Sequence, residues 1–282
     1  MVIRPFAPRY AVLSTNDQER TSPDRIAFTL AASPLAQVPQ WWFDYNATGH
    51  SWSPDVSFHD GTYWMYYSVS SWGVNRSAIG LATSPSGDPG TWVDQGIVFA
   101  STVTKSYNAI DPALLVDSSG RWWLTFGSFW KGIYQVELNP STGKLLSATP
   151  TPIHLAQRPA VLNDPIEGAY VMQHGAYYYL FASFDYCCQS VNSTYNVRVG
   201  RSTSPNGPYV DAAGVSMLNG GGTKILGSHG SVVGPGGQSV VHDNGDGNDL
   251  LVYHYYDANA GGTAALGINF LGWNSADWPY VW

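Results

Sequence analysis

Apolar and polar residues alternate along this chain over short stretches that end at turn-forming residues, and no stretch keeps a helical period for three turns. The runs VSFH and TYWMYYSVS, joined at HDG, are one example, and DSSG, QHG and DNGDGN punctuate three later pairs in the same way. Such punctuation between alternating or aromatic runs predicts β-hairpins. The expected fold class is all-β.

The hairpins belong to a longer repeat. A segment with a polar or acidic opening, a turn, an aromatic strand ending in small residues and a third strand recurs four times. The copies open at Asp55, at Asp111, at Glu167 and in GPGGQSVV, and the first three openings are spaced 56 and 56 residues apart. One small sheet cannot bury both of its faces, whereas sheets stacked in a ring can, so the repeat predicts the blades of a β-propeller. A fifth copy stands first and is partial: RYAVLSTND (Arg9 to Asp17) matches the aromatic second strand and RIAFTLAASP (Arg25 to Pro34) the third, without an inner strand or its acidic opening. The expectation is one five-bladed propeller domain over residues 1–282, its first blade, about residues 1–40, incomplete.

Composition narrows the function. Charged residues make up 12% of the chain against an ordinary share of about 25%, which argues against a disordered tail or a charge-laced helical bundle. Thirteen Lys and Arg against 20 Asp and Glu leave a net charge of −7, so there is no basic footprint and nucleic acid is not an expected partner. No run reaches the roughly 18 apolar residues of a membrane helix, and no membrane role is expected. Cys187 and Cys188 are adjacent, which excludes a disulfide framework or a zinc ribbon. They read most simply as two separate half-buried thiols, because a vicinal disulfide needs an unusual backbone. Sequons at Asn46, Asn75 and Asn192 suggest secretory passage, although Met1 to Arg20 holds no apolar signal core.

In a propeller the first strands of successive blades line the axis, so Asp55, Asp111 and Glu167 are expected to face one point from distant parts of the chain. Carboxylates held together raise one another's proton affinity, which supplies a protonated acid beside an ionised base. With so many aromatics, that pattern points to glycoside hydrolysis. Each residue also has a plainer structural reading. Asp111 precedes Pro112 and suits a turn, Glu167 suits an exposed strand end, and Asp55 suits a carboxylate bonded to backbone.

Four groups of strings carry a resemblance. They are SWSPDVSFHDGTYWMYYSVSS with SAIGLATS; NAIDPALLVDSSGRWWLTFGSFWKGI; IEGAYVMQHGAYYYLFASFDYCC with NSTYNVRVGRS; and GGGTKILGSHGSVVGPGGQSV with VYHYYDANAGGTAALGINFLGW. In this order, and over roughly Tyr10 to the C-terminus, the chain resembles glycoside hydrolase family 43, and within it the endo-1,5-α-L-arabinanases. The resemblance implies a five-bladed propeller that hydrolyses arabinan with inversion, using three carboxylates. Glu167 in IEGAY matches the general acid, and Asp111 in NAIDPAL matches the aspartate that tunes and orients that acid.

The third carboxylate, the general base, opens the family's first blade and is the residue this chain is expected to lack; Asp17 and Asp24 are expected in outer loops, and Asp55 in the substrate-binding wall. The expected consequence is impaired activity, with loss of the signal segment and the first inner strand together. Arabinofuranose presents small apolar ring faces, for which Trp52, Trp72, Phe129 and Trp130 are candidate platforms, with Asn108 and Ser128 completing the substrate-binding set. Trp64, Tyr66, Trp122 and Tyr178 fall within strands and are expected to pack between blades.

No cofactor is required by this chemistry. The family implies a hydrated metal, commonly calcium, on the propeller axis, for which His229 in GSHG is the candidate; a loop histidine bonded to backbone is the alternative. The implied protein is an extracellular monomer acting on arabinan. The competing functions are a catalytically inactive arabinan-binding propeller and an exo-acting arabinofuranosidase or xylosidase of the same family.

Overall fold

The computed structural model describes residues 10–243 and 245–282. These residues form strands and a few short 3-10 turns, with no α-helix among them. The strands gather into five sheets, each a meander in chain order, one of three strands and four of four. They are the blades of a five-bladed β-propeller, the fold the repeat predicts. Residues 1–9, including Arg9 of the partial first copy, lie outside the described residues.

The first sheet holds β1 (Tyr10–Ser14), β2 (Gln18–Ser22) and β3 (Thr29–Leu30). Here the structure differs from the sequence reading, which pairs the segment around Tyr10 directly with Arg25 to Pro34. Asn16 and Asp17 both take left-handed φ, 69° and 55°, and with Thr15 they form a short three-residue hairpin connection. The chain therefore folds straight back, and QERTS pairs with β1 from Ser14↔Gln18 to Tyr10↔Ser22. The polar composition of QERTS hides this strand from pattern reading.

The second sheet holds β4 (Trp52–His59), β5 (Thr62–Val69), β6 (Ser77–Ser84) and β7 (Val93–Ser101). Its first hairpin closes at Asp60 and Gly61, again both left-handed, as HDG predicts. The third sheet holds β8 (Ala113–Val116), β9 (Trp122–Phe126), β10 (Ile133–Leu138) and β11 (Ile153–Ala156). The fourth holds β12 (Ile166–His174), β13 (Tyr177–Phe184), β14 (Asn196–Ser202) and β15 (Thr223–Leu226). The fifth holds β16 (Val232–Asp243), β17 (Asn248–Asp257), β18 (Thr263–Trp273) and β19 (Pro279–Val281). The last strand of each of these sheets is the one the three-strand repeat missed. Strands such as IHLA and PYV are too short to show a period.

The chain divides into two compact units, one running through Phe126 together with Val136–Thr151, the other made of Gly127–Gln135 and Pro152–Trp282. In the first, Ala11 and Leu13 of the first sheet pack with Val56, Tyr63, Met65, Tyr67 and Val69 of the second, joined by Leu35, Trp42 and Trp92 from the connections. Trp64 meets Trp122 edge-on at 5.1 Å, and Tyr66 and Trp122 are buried, the packing role expected of these strand aromatics. In the second unit, Tyr179, Phe181, Val197 and Val199 of the fourth sheet pack on Val240, Leu251, Tyr253 and Leu271 of the fifth. Tyr178 is likewise buried. Burial of this kind is worth about 25 cal/mol per Å² of apolar surface, and it is what holds neighbouring blades together.

The three sequons separate cleanly. Asn46 and Asn75 are buried, with Nδ2 groups donating to the carbonyls of Ser70 and of Lys105 and Tyr107. Asn192 is exposed in a short 3-10 turn after β13.

Candidate active site

Within the second unit, Glu167 sits one residue into β12, opposite Ser183 of β13, at a β-bulge that runs to Tyr170. Gly168 in the bulge is left-handed at φ 58°. Bulges re-aim side chains and are frequent beside active sites. Glu167 is half-buried. Ser128 Oγ donates to its Oε2 at 2.5 Å, and Tyr195 Oη donates to its Oε1. The main chain behind it is tied down as well. Gln238 Nε2 donates to the Gly168 carbonyl at 2.6 Å, Ser183 Oγ donates to Gln238 Oε1 at 2.7 Å, and the Gly237 amide donates to Ser183 Oγ at 2.8 Å.

The loop that brings Ser128 to Glu167 is bent by its backbone. Phe129 and Trp130 are consecutive aromatics with left-handed φ, 54° and 51°, a conformation that is a true outlier for bulky residues. It is held by the Phe129 amide donating to the Ile166 carbonyl at 3.0 Å and the Gly132 amide donating to the Phe129 carbonyl at 2.7 Å. Two glycines make the path possible. A Cβ on Gly127 would stand 2.2 Å from the Gly132 carbonyl oxygen, and one on Gly132 would stand 2.2 Å from that of Ala156. Strain of about 1–3 kcal/mol per outlier persists where surrounding structure enforces it, and such sites cluster at functional positions. The Phe129 ring meets Tyr186 at 5.8 Å. Phe129 and Trp130 are half-buried, whereas Ser128 is 3% exposed and its hydroxyl is spent on Glu167.

The loop carrying Tyr186 holds a correction. Cys187 and Cys188 are not two separate thiols; they form a disulfide with each other. The unusual backbone such a bond needs is present, since Cys188 takes φ 65° and its amide donates to Tyr256 Oη at 3.0 Å.

In the first unit, Asp111 precedes β8 with φ 54° and donates its amide to Ser68 Oγ at 2.9 Å. Its side chain is half-buried. Asp55 is 6% exposed and accepts the Leu114 amide on Oδ2 at 2.8 Å, which realises the plainer reading of a backbone-bonded carboxylate. Burial pushes its proton affinity above the ordinary carboxylate range. Asn108 is also buried, accepting from Ser77 Oγ at 2.6 Å. Trp72 is 79% exposed, and its ring centroid lies 6.5 Å from that of Trp52. Asp17 bonds Ser33, and Asp24 Oδ1 accepts the amides of Ile26 and Ala27, so both hold loops locally.

His229 shares a hydrogen bond between Nδ1 and the Gly227 carbonyl at 2.8 Å in an exposed loop. Among the described residues no three His, Cys, Asp or Glu side chains are grouped to hold a metal. His254 lies deep against Tyr195, their ring centroids 6.0 Å apart, and burial favours its neutral form. No step of the chemistry is routed through a metal. No helix among the described residues is long and apolar enough to cross a membrane.

Sequence reasoning missed Tyr195, Gln238 and Ser183 as partners of Glu167 and its bulge. Tyr195 ends the NSTY string, and only the three-dimensional pairing exposes its hydroxyl's target.

Known proteins give this geometry its context. The chain is 44% identical over 270 residues to the extracellular endo-α-(1→5)-L-arabinanase 1 of Bacillus subtilis (strain 168), covering 95% of this chain and 78% of that protein. Among solved structures, an endo-arabinanase from Bacillus licheniformis superposes with a TM-score of 0.91 at 40% identity, covering 99% of this chain and 95% of that one. An exo-1,5-α-L-arabinanase from a bovine ruminal metagenomic library superposes with a TM-score of 0.93 at 35% identity, covering 99% and 94%. The sequence model of glycosyl hydrolases family 43 matches residues 3–279, nearly the full length, and the chain belongs to that family.

Proposed function

We propose that this chain hydrolyses α-1,5-L-arabinofuranosidic bonds of arabinan by an inverting acid/base mechanism, as one catalytic domain acting outside the cell. The observation that carries the reading is the 44% identity, across 95% of the chain, to a protein named as an extracellular endo-arabinanase. Glu167 is the general acid: as the bond from the anomeric carbon to the leaving oxygen breaks, the electron pair goes to that oxygen and the Glu167 proton follows it. Asp111 is the carboxylate that tunes and orients the acid. Water attacks the opposite face of the sugar and gives its proton to a base, so the product emerges with inverted configuration; in the family that base opens the first blade, no residue of this chain is assigned to it, and the rate is expected to be impaired. Acid/base chemistry of this kind needs no cofactor.

The test is product analysis on debranched arabinan. A mixture of arabino-oligosaccharides, released with inverted anomeric configuration in proton NMR, is the expected outcome. Arabinose alone would favour the exo-acting reading, and binding without release an arabinan-binding propeller.

Trp72 and Trp52 are proposed as a stacking platform for the polymer. Trp72→Ala is expected to raise KM for arabinan about three- to tenfold, with a smaller change in kcat. Because Trp72 is so exposed, the melting temperature should stay within a few degrees. An unchanged KM would remove Trp72 from the platform.

A further inference from the structure

Glu167 is gripped at both carboxylate oxygens, and the two grips are built differently. Ser128 reaches Oε2 from the strained loop after β9. Tyr195 reaches Oε1 from the entrance to β14, and nothing in the expected chemistry assigns it a role. Its ring is 3% exposed and closely seated. A Cβ on Gly236 would stand 2.3 Å from Tyr195 Cδ2 and 2.9 Å from Ser183 Oγ, so the glycine in β16 makes room for the ring. His254 lies alongside. The preceding residue is fixed too: the Thr194 amide donates to the Tyr186 carbonyl at 2.9 Å, and the Tyr186 amide donates to Thr194 Oγ1 at 3.2 Å. A phenol hydroxyl buried by packing yet aimed at one carboxylate oxygen has few other purposes.

We infer that Tyr195 is a positioning residue for the acid step, holding the Glu167 carboxyl in orientation and stabilising the carboxylate left when its proton departs. This rests on the reading of Glu167 as the general acid. A protonated carboxyl keeps acceptor capacity on both oxygens, so the Ser128 and Tyr195 hydroxyls donate before and after the transfer. When the proton moves to the leaving oxygen, negative charge develops on Glu167, and both hydrogen bonds become charge-assisted. Interactions that strengthen as the transition state forms raise kcat rather than lower KM.

The step matters most for leaving groups that need a proton. An arabinan alkoxide is such a group, and a chloronitrophenolate is not. The experiment compares Tyr195→Phe with the unmodified chain on debranched arabinan and on a 2-chloro-4-nitrophenyl α-1,5-arabino-oligoside. The ratio of kcat on arabinan to kcat on the aryl substrate is expected to fall about ten- to hundredfold, with KM for arabinan changed by less than about threefold. An unchanged ratio, whether both rates fall together or neither does, overturns the proposal.

Glu167→Gln, assayed in parallel, separates the two readings. If it lowers the ratio while Tyr195→Phe does not, only the positioning role fails; if it leaves the ratio intact, the acid assignment fails and takes the proposal with it. A second measurement is independent of turnover and of whether Tyr195→Phe folds. With 3-fluorotyrosine at position 195, the ¹⁹F resonance is expected to move on Glu167→Gln, and an identical resonance in the two proteins overturns the contact.

Discussion

Glu167→Gln is expected to lower kcat on debranched arabinan by about 10²- to 10⁴-fold, the ordinary range for removing a general acid. Glutamine preserves the shape of the side chain and can still accept from Ser128 and Tyr195 hydroxyls or donate to them. The bulge behind it depends on Gln238, Ser183 and Gly237 rather than on the carboxyl. The variant should therefore fold, with a melting temperature close to that of the unmodified chain, and bind arabino-oligosaccharides with similar affinity. What it loses is the proton. The deficit should shrink on an aryl arabino-oligoside, whose leaving group departs unaided. Retention of more than about a tenth of the arabinan rate, measured by reducing-end release, would mean that another group donates the proton.

Asp111→Asn should come next in size, lowering kcat by about a hundredfold or more with KM little changed. Asparagine is the informative replacement because Asp111 has φ 54°, and Asn tolerates left-handed backbone better than most residues. The hydrogen bond from the backbone amide to Ser68 Oγ and the turn into Pro112 are then kept, and the change is one of charge. A carboxylate that tunes a neighbouring acid does so by like-charge repulsion, which holds the proton on the acid to higher pH. Its removal is expected to move the alkaline limb of the kcat/KM profile to lower pH. A fall in rate with no movement of that limb would leave Asp111 an orienting role without the tuning one.

The blades were legible in the sequence where hairpins closed on strong turn residues. HDG at Asp60 and Gly61 is the clearest case, because both positions need left-handed backbone and both residues tolerate it. QERTS was not legible, since its pairing comes from the Asn16 and Asp17 turn rather than from any apolar alternation of its own. The final strands β11, β15 and β19, of four, four and three residues, escaped for want of length. Among the candidate residues, Glu167, Asp111 and the aromatics Phe129 and Trp130 stood out through repeat position and motif. Their backbone strain could not, because φ is imposed by contacts such as Phe129 to Ile166. Asp55 and Ser128 read as substrate-binding residues in the sequence, and burial turns both inward, one to the Leu114 amide and the other to Glu167. The disulfide between Cys187 and Cys188 runs against the ordinary reading of adjacent thiols and became visible only with the loop's geometry.

The nested glycines of the loop after β9 bear on how the candidate platform of Phe129 and Trp130 can change. The space beside Gly127 is filled by the carbonyl of Gly132, and the space beside Gly132 by that of Ala156, so three segments interlock through atoms that no side-chain rotation can clear. A methyl group at either glycine forces main chain to move, and that displacement would travel to Ser128 and hence to Glu167. Diversification in this corner is thereby steered away from the loop's path and onto the two rings it displays. Libraries aimed at this candidate platform should vary positions 129 and 130 and leave 127 and 132 alone.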